Sequence, residues 1–168
     1  MATQITPTTE LQAVNTMLSV IGEAPVNTLA GSTTTDVSIA INLLNETSMS
    51  VQSMGWNFNT HYNYNVSVDD TGKIPLPSNC VQADASSANR SYNWVMRNGH
   101  LYDLDNHTDI FTSDKQLDVV LVQQFEHLPE YARRYITAKA ARRYAARTIG
   151  DGELTQLAAT DEQEAYIA

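Results

Sequence analysis

Residues 51–68 read Val51-Gln52-Ser53-Met54-Gly55-Trp56-Asn57-Phe58-Asn59-Thr60-His61-Tyr62-Asn63-Tyr64-Asn65-Val66-Ser67-Val68. The hydrophobic period changes inside this stretch. Up to Met54 it is that of a helix, and Gly55 suits the helix end. Beyond it, Tyr62, Tyr64, Val66 and Val68 alternate with His61, Asn63, Asn65 and Ser67, the pattern of a half-exposed strand. A chain that switches period here and switches back later predicts an α+β fold.

Upstream, Val37, Ile41, Leu44, Ser48 and Val51 form one helical stripe, widened by Ala40 and Met54, which predicts a helix over 35–54 with Asp36 in its first turn. Before it, Leu11, Val14, Leu18 and Ile21 share a face of a shorter helix. Thr8 or Thr9 can supply its N-cap, Glu10 favours its positive end, and Gly22 suits the left-handed residue after it. Residues 24–31 read as a loop.

Downstream, Asp69-Asp70-Thr71-Gly72 is a turn. Asn98-Gly99, set between Trp94-Val95-Met96-Arg97 and His100-Leu101-Tyr102, is the favoured two-residue hairpin turn. Leu117, Val119, Leu121 and Phe125 alternate on a further strand. Pro129 and Glu130 reopen helix, with proline at an early position where its missing N–H is harmless. This Ala-rich helix is predicted over 129–149, closed by Gly150, and a fourth begins near 151–153. The expected architecture is therefore a helical bundle from the two ends of the chain, 1–59 and 128–168, with a small antiparallel β domain, 60–127, inserted between them.

The 168 residues fit one domain or two small subdomains. Ten Lys and Arg against nineteen Asp and Glu give a net charge of −9, which argues against wrapping duplex DNA. The single cysteine, Cys80, excludes an internal disulfide framework and a cysteine-based zinc site. The start does not resemble a signal peptide, and the aliphatic run Val119 to Val122 is too short to cross a bilayer. A soluble, non-secreted chain is expected. The charge is uneven: residues 1–72 hold six acids and no Lys or Arg, whereas 129–150 hold six cations and Glu130 alone. Residues 151–168 hold five acids and no cation. Such blocks suggest complementary packing, within the fold or between copies.

No catalytic constellation emerges, and no cofactor or metal site is expected. Cys80 lies in a turn-like stretch and reads as a buried or half-buried thiol. The histidines at 61, 100, 107 and 127 never fall three or four apart, so no helical metal pair exists. The run from Asp103 to Asp109 resembles a calcium loop but lacks glycine at its sixth position and glutamate at its twelfth, and reads as a solvated turn. Two features stand out. Trp56 and Phe58 are either the hinge of the core or a docking site. Arg133, Arg134, Lys139, Arg142, Arg143 and Arg147 form a basic helix, with Lys139, Arg143, Arg147 and Arg133 on one side and Tyr131, Tyr135, Ala138 and Ala145 as the apolar counterpart. These six cations, with Trp56 and Phe58, are the candidate inter-subunit or partner interface.

Several segments resemble the tail tubular protein A family of short-tailed, T7-like bacteriophages. They are Leu11 to Asn15, Ile21 to Val26, Val51 to Asn59, Asn98 to Asp103, and Leu128 through Arg142. The resemblance implies a structural virion protein and not an enzyme. It further implies a dodecameric ring that joins the portal to the nozzle (tail tubular protein B), with the tail fibre attached nearby. Genomic DNA would pass through the ring during ejection without sequence-specific binding. The protein would assemble in the host cytoplasm and reside in the virion tail. Family members usually continue past the equivalent of Ala168. The alternatives are a head-completion connector of a long-tailed phage, or an adaptor with added glycan-hydrolase activity using acids near Asp103, Asp105 or Asp109.

Overall fold

The computed structural model describes residues 6–31, 34–148 and 152–167. Their order is α1 (Glu10–Val20), α2 (Thr35–Gln52), β1 (Thr60–Val66), β2 (Cys80–Ala85), β3 (Trp94–Arg97), β4 (His100–Asp103), β5 (Lys115–Leu121), α3 (Glu130–Thr148) and α4 (Gly152–Ile167). Short 3₁₀ turns lie at Ser87–Asn89 and Phe125–His127. Helices flank an antiparallel sheet region, so the α+β expectation holds. Two compact units result: a helical unit within residues 1–51 and 124–168, and a β unit of residues 52–123.

In the helical unit, Thr9 caps α1 through a reciprocal box with Gln12, which satisfies two otherwise orphaned N–H groups. Val14, Met17 and Leu18 are buried on its inner face. Helix α2 buries Val37, Ala40, Leu44 and Val51 as the stripe predicts, together with Leu43 and Thr47. Met54 departs from the stripe: it lies past the helix end and is 65% exposed. Helix α3 buries Ala132, Ile136, Ala140, Ala141, Tyr144 and Ala145. Tyr144 also donates its hydroxyl to the Asp36 carbonyl at 3.1 Å. Tyr131, expected on the apolar side of α3, is 46% exposed. Gly150, expected to close this helix, lies outside the described residues.

In the β unit, β5 is the centre of a three-stranded sheet, β1-β5-β2, antiparallel throughout, and β3-β4 is a separate hairpin. The hairpin turns at Asn98 (φ 51°) and Gly99 (φ 73°), the left-handed pair that matches the twist of the flanking strands. Leu117, Val119 and Leu121 of β5 pack with Val66, Ile74, Leu101, Trp94 and Phe111 in one apolar core. Three sequence expectations shift here. Tyr62 is 71% exposed because the pairing of β1 with β5 slips between His61 and Tyr64. Asn63 sits there at φ 52° with its N–H donated to the Asp118 carboxylate at 3.0 Å, which resets the alternation. Phe125 leaves the strand and is buried in a 3₁₀ turn of the helical unit. Cys80 opens β2 instead of occupying a turn, and burial pushes its thiol pKa up.

Candidate functional site

The β unit is closed at its own ends by two buried amides. Gln52, fully buried, donates Nε2 to the Gln123 carbonyl at 3.0 Å and accepts the Gln123 N–H on Oε1 at 2.7 Å. Its own carbonyl accepts Asn59 Nδ2 at 2.8 Å, and Asn59 Oδ1 accepts the Trp56 N–H at 2.9 Å. The Asn59 carbonyl in turn accepts the Leu121 N–H at 2.9 Å. Gly55 makes the turn possible. It lies at φ 75°, and a Cβ there would stand 3.3 Å from Val120. Trp56 and Phe58 stack with ring centroids 6.3 Å apart, each half-buried. The aromatic residues attract attention in the sequence. The amides beside them make the node.

The basic helix uses most of its cations within the chain. Arg133 is buried, and its guanidinium donates to three backbone carbonyls: Leu128 at 2.7 Å, Thr8 at 3.0 Å, and Glu126. The Glu126 carboxylate lies 3.5 Å from it and also accepts the Glu10 N–H at 2.8 Å. Arg142 and Lys139 both reach Glu162 of α4, Lys139 at 3.8 Å. Arg143 donates to Thr47 at 2.9 Å and pairs with Glu46 at 3.1 Å, and Arg147 reaches the same Glu46 at 3.6 Å. The positive block therefore meets α2 and α4 of the same chain, which is the within-fold form of the charge complementarity. Arg134 alone of the six is exposed with no ion pair among the described residues.

Several carboxylates of the β unit are held by nearby groups. Asp103 accepts the Asp105 N–H at 2.9 Å, the Asn106 N–H at 3.1 Å and the Asn106 amide at 2.9 Å. The Asn106 amide is the main cause holding its pKa below the ordinary 3.8. Asp69, bonded to Thr71, and Asp109, paired with Lys73 at 2.8 Å, are held down in the same direction. Asp103, with three hydrogen bonds accepted from its own turn, is poorly suited to act as the general acid of glycan cleavage. Among the described residues no group of three or more His, Cys, Asp or Glu is placed to hold a metal, and no helix is long and apolar enough to cross a membrane.

These depressed values fix the sign of one acid effect. A carboxylate with a folded-state pKa below its unfolded value contributes stability above the unfolded value and loses it as pH falls through the folded one. The β unit is therefore expected to hold its stability down to about pH 4 and to weaken progressively below that. Urea titrations followed by tryptophan fluorescence at pH 6, 4 and 2.5 measure this. A midpoint unchanged between pH 4 and 2.5 contradicts it.

The helical unit thus engages five of the six α3 cations internally, and in the β unit Asp69, Asp103 and Asp109 are held by their partners. A family model described as tail tubular protein matches residues 11–168, and the chain belongs to that family. It is a phage virion protein of the tail. It is similar to "Tail tubular protein A" of Klebsiella phage KP34, with 29% identity over 127 residues. That match covers 76% of this chain and 66% of the relative, so the chain spans just under two thirds of the relative's length.

Proposed function

We propose that the chain is a tail adaptor, a ring of identical copies (twelve, as the resemblance implies) seated between the portal and the nozzle, with tail fibres attached nearby. The genome leaves through its central channel. Membership of the tail tubular protein family over residues 11–168 carries this reading. The charge geometry supports it. With the α3 cations turned onto Glu46, Glu162 and backbone carbonyls, few free cations remain for phosphate among the described residues. Acidic walls repel DNA and let it slide, whereas a basic channel would hold it. The interface assigned to Trp56, Phe58 and the α3 cations enters this proposal with Arg134 as its most available cation.

Purified protein mixed with the portal of the same phage at micromolar concentration is expected to give rings stacked on portals by negative-stain microscopy. A portal that stays bare at native salt overturns the adaptor reading.

A further inference from the structure

Of the ten lysines and arginines, eight engage a carboxylate, a carbonyl, a hydroxyl or an aromatic ring within the chain. The side chains of Arg90 and Arg134 have no such partner among the described residues. The surroundings of these two differ, and the difference is complementary.

Arg134 lies in a groove of about 740 Å³ within the helical unit, lined by α1, α3 and α4. On the α3 side Thr137, Ala138 and Ala141 form a floor of small residues beyond Glu130, Tyr131 and Arg134, and an incoming side chain can approach the helix closely there. On the α4 side stand Asp161 and Glu164, both exposed and neither ion-paired among the described residues. Two free carboxylates against one free guanidinium leave the groove acidic. It suits an occupant that brings a cation and a flat apolar surface.

Arg90 supplies such a pair. It is exposed in the β unit just after the Ser87–Asn89 turn, among the small exposed residues Ser87, Ala88 and Ser91. Two residues on, the Tyr92 ring stacks on Trp94 at 4.8 Å with the planes 10° apart. Trp94 is itself buried, while about half of Tyr92 stays exposed. An aromatic held in place before contact loses little entropy on binding, which is what an anchor residue requires.

We propose that Arg90 and Tyr92 of one copy dock in the α1/α3/α4 groove of the next copy. Arg90 meets Asp161 and Glu164, and Tyr92 covers the small-residue floor. The contact joins two different surfaces of the same chain, so it is heterologous and passes from copy to copy until it closes. It rests on the ring reading above and names the surfaces that make the ring.

A charge swap tests it on the whole chain. R90E places a carboxylate against two others, and the concentration for half-assembly, read by analytical ultracentrifugation, is expected to rise about tenfold or more. Adding D161K and E164K to R90E restores opposite charge and is expected to bring assembly back to within about threefold of wild type. Independently, Ser91→Cys with Ala165→Cys in a Cys80→Ser background is expected to give a ladder of cross-linked oligomers on a non-reducing gel. Wild-type rings with an unaffected R90E, an R90E defect that the swapped groove does not rescue, or the absence of a ladder each overturn this contact and leave the ring standing. A wild-type chain that forms no ring, alone or on the portal, overturns the ring and the contact with it.

Discussion

Replacing Arg133 by alanine is expected to lower the stability of the helical unit by about 3 kcal/mol, the scale for removing a buried charged donor from several carbonyls. The guanidinium ties Thr8, before α1, to the distant stretch that leads from the turn at Glu126 and Leu128 into α3. Its loss leaves three carbonyls without a donor and the Glu126 carboxylate without its cation. Arg133→Lys recovers only part of this, because one ammonium cannot reproduce the planar fork. Urea denaturation followed by helical circular dichroism measures both. A loss below about 1 kcal/mol for the alanine variant would show the hub to be ornamental.

Gln52→Leu comes next in size. The volume is nearly kept, so packing changes little, but the Gln123 N–H and carbonyl lose the amide that serves them both. Two backbone groups left unpaired away from water cost about 2–4 kcal/mol together. Amide exchange supplies the specific readout: the Gln123 N–H and the Leu121 N–H, which closes onto Asn59, should lose protection first. Protection equal to wild type at both positions would place the closure of the β unit elsewhere.

The sequence carried the period changes well, because they report which face of each element meets the core. The Asn98-Gly99 hairpin, the α1 cap and the four helices were legible for that reason. β2 was not. Cys80 to Ala85 contains polar and small residues at alternating positions, and it is a strand because β5 offers it an edge. Tyr62 misleads in a similar way, since one left-handed asparagine shifts the register and no alternation announces it. The basic helix was conspicuous, but a helical wheel cannot say where the opposite charges lie. Glu46 and Glu162 come to α3 through the fold, and Arg133 turns inward because backbone carbonyls collect around it. The pairs Gln52–Gln123 and Gln52–Asn59 carried no compositional signal. Uncharged amides are common in this chain, and only burial distinguishes these.

The amide node has a consequence beyond stability. Residues 52 and 123 open and close one continuous stretch, and they are hydrogen-bonded to each other. A stretch that begins and ends at a shared point behaves as a cassette. Another insert whose ends emerge together can take its place without asking the flanking chain to reach further.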